Sequence, residues 1–148
     1  MLKRIALAGL VGAFLIDLYL VVVHAYVFAD ASPVVLFDWD ASNAVGMIAF
    51  KEGTSIIWLG LLLHLCVSMA WAAIFALAAT RLRFLRGNPL LAGTAFGIAV
   101  MLVMRFLIVP LGGAPQINAT GLALLSNTIA HTAFFGVPVA WLAVPRQS

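Results

Sequence analysis

Charge is scarce in this sequence. Eight basic and five acidic side chains account for 9% of its 148 residues, where soluble domains carry roughly 25%. That shortage excludes an ordinary water-soluble globule, and a hydrophobic content of 65% says what stands in its place, an integral membrane protein. The only cysteine is Cys66, so no intrachain disulfide is available. G-x-S-x-G, P-loop, H-E-x-x-H and G-x-G-x-x-G patterns are all missing, which removes the best-marked hydrolytic, nucleotide-binding and metalloprotease chemistries. The expectation is therefore a non-enzymatic chain. Its formal charge of +3 comes from residues flanking apolar runs, so no nucleic-acid partner is expected.

What is present is four long apolar stretches. A bilayer core takes about 20 residues per helix, so four spans with short connections nearly fill the chain as a single transmembrane domain. The spans are expected at about 5–27, 55–80, 89–109 and 120–144. Asn88-Pro89 suits a helix start, because proline fits the first turn. Pro138 falls inside the last span and predicts a kink there. Lys3-Arg4 followed by an apolar run and Ala29-Asp30-Ala31 imitates a secretory signal. The run exceeds the usual signal core of about 7–15 residues, so a retained span is expected.

The segment at 33–52 is more than a linker. It is apolar with acidic punctuation, Trp39 suits a membrane interface, and Ala41 to Phe50 predicts a helix too short to span. Gly53-Thr54-Ser55 supplies a break and a helix N-cap. The predicted fold class is thus all-α, an integral membrane four-helix bundle with a short interfacial or re-entrant helix in the first outer loop. Under that topology Lys3, Arg4, Arg81, Arg83, Arg86 and Arg146 share one side. Asp30, Asp38, Asp40 and Glu52 lie on the other with Lys51. Basic residues mark the cytoplasmic side, which predicts both termini inside.

Ionisable groups inside spans are expensive and by default mark function. They are Asp17 and His24, then His64, Arg105 and His131. Counting the helical rise, Asp17, His64 and His131 sit at roughly 13–16 Å from the outer end of their spans, with Arg105 and His24 shallower. Facing reinforces depth. Asp17 and His24 are seven apart; Gly60, His64 and Ser68 form one stripe; Gly97, Met101 and Arg105 another; Asn127, Thr128 and His131 a third. The predicted site is a polar cluster of Asp17, His24, His64, Ser68, Arg105, Asn127, Thr128 and His131.

Three readings of that cluster stay open. Asp17 and Arg105 can pair as interhelical glue, with the histidines merely hydrogen-bonded. Asp and His together can relay protons or respond to a solute. His64 and His131, at equal depth on different helices, can hold haem b, although no cofactor is the primary expectation. The expected surroundings are the lipid bilayer and, given the small-residue faces, a second copy or a larger membrane complex that the chain would stabilise as an accessory subunit.

Ala41-Ser42 with Gly46 and Phe50, Leu59-Gly-Leu-Leu-Leu-His64, Pro89-Leu-Leu-Ala-Gly93, Val109-Pro-Leu111 and Ala130-His131 carry a resemblance. Over Ala41 to Trp141 the chain resembles a family of small four-span bacterial membrane proteins and is distantly similar to the YagU-type inner-membrane proteins. The resemblance implies an inner-membrane location, His64 and His131 as shared features, and a role in acid tolerance. Asp17, His24 and Arg105 have no counterpart in it.

Overall fold

A computed structural model describes residues 1–23, 34–115 and 120–144. His24, Asp30 and Arg146, and with them the end of the first expected span, lie outside the described residues. Among these residues six helices follow in order. Helix α1 is Leu2–Val23, and α2 is Val35–Val45, prolonged by a 3-10 turn over Gly46–Lys51. Helix α3 is Ser55–Arg81 and α4 is the single turn Phe84–Gly87. Helices α5 and α6 are Pro89–Leu111 and Gly121–Ala143. No strand occurs among the described residues. Helices α1, α3, α5 and α6 are each long and apolar enough to cross a membrane.

Small residues decide how these four helices meet. For helices in a membrane, apolar side chains would gain nothing by leaving lipid for one another, which puts the weight on close backbone packing. Gly93 and Gly97 of α5 lie against Gly136, Val137, His131 and Thr132 of α6, backbone to backbone. On α1, Gly9 faces Met69 of α3, while Gly12 faces Phe135 and Val139 of α6. Helix α1 is therefore flanked by α3 and α6, and α5 packs on α6. The remaining gap, between α3 and α5, is closed by rings. Phe96 meets Phe75 edge-on at 4.9 Å between centroids, and Phe135 stacks at 6.3 Å. Phe75, Ala72, Ala130 and Val139 are fully enclosed.

Both prolines inside helices are answered in the same way. A proline ring collides with the carbonyl four residues earlier, which is Phe106 for Pro110 and Phe134 for Pro138. Each of those carbonyls lies in a wider π-helical segment, Met104–Ile108 in α5 and Ala130–Gly136 in α6. The disturbance expected at Pro138 thus takes the form of an enlarged turn placed before it. Such turns re-aim the side chains they carry and recur at functional sites. Here they carry Arg105 and His131.

Helix ends follow their sequence signals unevenly. Asn88 caps α5, its side-chain oxygen accepting from Leu91 N at 3.1 Å, with Pro89 in the first turn. Asn88→Ala should cost about 1 kcal/mol, measured by denaturant unfolding in micelles. Arg86 Nε donates to the Ala79 carbonyl at 2.6 Å, satisfying an otherwise open acceptor near the end of α3. The expected cap at Thr54 does not form. Gly53 makes the break with φ of 65°, but Thr54 stays helical and Ser55 Oγ turns back to Glu52 O instead.

Candidate functional site: an Asp–His–Asp contact where three helices meet

Helix α2 begins earlier than the sequence indicates, at Val35, and it is packed rather than merely laid on a surface. Ala41 and Ser42 are completely buried. The reason is a glycine on another helix: a Cβ on Gly60 of α3 would fall on the Phe37 carbonyl oxygen. Only a residue without a side chain lets the α2 backbone come this close. On the opposite flank, Trp39 Nε1 donates to the Pro115 carbonyl at 3.1 Å, and Gly113 N donates to Asn43 O at 3.2 Å. The sequence suggests a membrane-interface anchor at Trp39. Its half-buried N–H instead finds a partner inside the protein, as indole N–H groups do when removed from water.

That placement brings an unexpected carboxylate to His64. One turn along α3 from Gly60, the imidazole Nδ1 lies 3.3 Å from Asp40 Oδ2 of α2, and Nε2 lies 3.2 Å from Asp17 Oδ1 of α1. All three side chains are about four-fifths buried, with relative exposures of 19%, 22% and 19% for His64, Asp40 and Asp17. The two contacts differ in quality. Nε2 has no hydrogen-bond partner of acceptable geometry, so its approach to Asp17 is an ion-pair distance that is out of line. Two further buried acceptors on α2, Asp38 Oδ1 and Asn43 Oδ1, also lack a partner among the described residues.

Proton counting limits what this trio can be. Carboxylates only accept and a neutral imidazole donates from one nitrogen. Two N···O contacts therefore need two protons, held either on both ring nitrogens or with one on a carboxyl. The two ring nitrogens point away from each other, so Asp17 and Asp40 cannot converge with His64 on one metal ion. Among the described residues no cluster of histidine, cysteine or carboxylate is arranged to hold one.

The other predicted site residues have different hydrogen-bond partners or neighbours. His131 Nδ1 donates to the Asn127 carbonyl of its own helix at 2.9 Å, because a carbonyl can only accept. Thr128 Oγ1 donates to Leu124 O at 2.8 Å and points to Met101 Sδ at 3.6 Å. Ser68 is buried on α3. Arg105 lies in the π segment of α5, its guanidinium 5.8 Å from the Phe106 ring centroid. His24 lies outside the described residues. Asp17 and His64 are thus brought together, while Asp40 is the member that sequence reasoning missed. A haem iron on Nε2 of His64 would have to move Asp17 aside, while Nδ1 kept its contact with Asp40.

Gly60→Ala tests how the site is held. The obstacle is backbone, which cannot rotate away, so α2 must shift from α3 and carry Asp40 off His64. A loss of about 1–3 kcal/mol is expected, together with a changed His64 imidazole signal by NMR. An unchanged signal would mean that Asp40 reaches His64 without this contact.

No protein family, curated protein or solved structure matches the chain.

Proposed function

We propose that this chain is a non-enzymatic, four-span inner-membrane protein that handles protons at Asp40, His64 and Asp17. The observation that carries the reading is the pair of contacts at His64, one per ring nitrogen, to carboxylates from two different helices. An imidazole in that position accepts a proton at one nitrogen while releasing one at the other. Histidine titrates near neutral pH, and Asp–His chains are the usual relays within membranes. Asp40 stands on α2, whose Trp39 and Asn43 hydrogen-bond to Pro115 and Gly113. Asp17 stands inside α1. With basic residues inside, α2 faces outward and the relay runs from the outer side toward the middle of the bundle. The unaligned Nε2 leaves the second transfer awaiting a small ring rotation, a natural point of control. An acid-responsive role follows from the same arrangement.

Liposomes containing a pH-sensitive dye test this directly. Under an imposed pH gradient, the wild-type protein should raise proton flux above that of protein-free vesicles. Asp40→Asn and His64→Gln should each reduce the increment at least tenfold. Wild-type flux equal to that of empty vesicles ends the reading, as does flux that both variants retain.

A further inference from the structure

A groove of about 410 Å³ lies on the outside of the bundle between α1 and α3, with Phe37 of α2 also lining it. Its walls are apolar, formed among others by Leu10, Phe14, Val21, Leu61 and Leu65, and the two polar residues lining it are Asp17 and His64. Phe14, at 66% exposure, and Leu61 stand at its open edge. A groove of this size accommodates a small organic molecule, and apolar walls with one or two converging polar groups are the usual pattern of such sites.

We infer that this groove binds a membrane-dissolved organic cation, an ammonium or phosphonium with an apolar body, whose charge is met by Asp17. Charge is the first argument. The trio holds two carboxylates against one imidazole, so when both ring nitrogens are protonated it still carries one excess negative charge. A cation from the lipid side would offset that charge where water cannot. The walls supply the second. Phe14 and Phe37 line it with aromatic rings, a group that attracts alkylammonium ions, and the remaining apolar residues are aliphatic. Depth supplies the third and selects the source. By helical rise, Asp17 is expected roughly 13–16 Å from the outer end of its span. The amine of a phospholipid headgroup stays at the membrane surface and does not descend to it. The ligand is therefore a compact, lipid-soluble cation and not a lipid headgroup. This extends the proton site proposed above and rests on the same carboxylate: proton and cation would share Asp17.

Binding of tetraphenylphosphonium to the purified full chain in nanodiscs, at fixed pH, provides the test. One equivalent per chain is expected, weakened at least tenfold in Asp17→Asn. Leu61→Trp, which fills the open edge without touching the carboxylate, should weaken binding by a similar factor. A neutral aryl compound of similar size should bind no differently to wild type and Asp17→Asn. Thermal melts confirm that each variant remains folded. Absent binding to wild type overturns the inference, as does equal binding by wild type and either variant. Proton flux separates the two proposals. Flux without cation binding sinks this inference alone, and cation binding without flux sinks the relay alone.

Discussion

Gly97→Leu is expected to abolish the native arrangement of the four long helices. A Cβ at this position would fall on the His131 carbonyl oxygen, and it would stand 2.7 Å from Thr132 Cα. Both obstacles are backbone atoms of α6. Ordinary overpacking costs about 1–3 kcal/mol because side chains can move aside. Here a whole helix must retreat, and it cannot do so alone, since Gly136 on α6 lies with equal intimacy against Gly93 and Gly97. The loss should exceed that range, about 4 kcal/mol or more, a size reserved for a few mechanisms of which this is one. Circular dichroism during denaturant titration in micelles would retain helix content but show a weakened or non-cooperative transition. Gly87→Ala is the control. Nothing lies within 4 Å of the place its new methyl group would occupy, and its effect should stay within about 0.5 kcal/mol. Equal behaviour of the two variants would refute close α5–α6 packing.

His64→Ala is expected to be the most damaging change at the candidate site. Removing one partner from a buried ionic group leaves uncompensated charge, typically worth about 3–5 kcal/mol. Asp17 and Asp40 both lose the imidazole they face here. Asp40→Asn should cost less, because the amide can still hydrogen-bond to the ring while His64 continues to face Asp17. The decisive comparison is the triple variant Asp17→Asn, His64→Ala, Asp40→Asn. If charge is the cause, neutralising both carboxylates restores most of the lost stability. If the triple variant is as unstable as His64→Ala alone, the loss comes from a packing defect and the ionic account fails. A single His64→Ala variant within about 1 kcal/mol of wild type would show that the three groups are uncoupled, since contacting residues commonly interact by about 0.5–3 kcal/mol.

The long helices were legible because their signal is local. Hydropathy and the residues at each end place α3, α5 and α6, and the start of α1, within a few positions of where they are found. The Asp17–His64 contact was legible for a different reason: equal depth, and a face kept polar or small on each helix, leave few other neighbours. Asp40 was missed because its role depends on the path of the first loop, and that path is set by a steric allowance on another helix. Gly60 was visible one turn from His64, yet a glycine does not announce which backbone will approach it. His131 fell outside the trio because a carbonyl on its own helix satisfies one ring nitrogen, a local solution that depth and facing do not reveal. The π segments were hidden as well. Pro110 and Pro138 signal that something must yield, but a bend and an enlarged turn are alternative answers to the same collision.

Trp39 has a consequence for motion. Its indole holds the stretch after α5, while the neighbouring Asp40 holds His64. Short of a local rearrangement, α2 cannot swing away from the imidazole while that distant tether is fastened. A push on the 112–115 stretch would therefore be felt at the carboxylate, much as a latch pressed on one edge of a door frees the opposite edge.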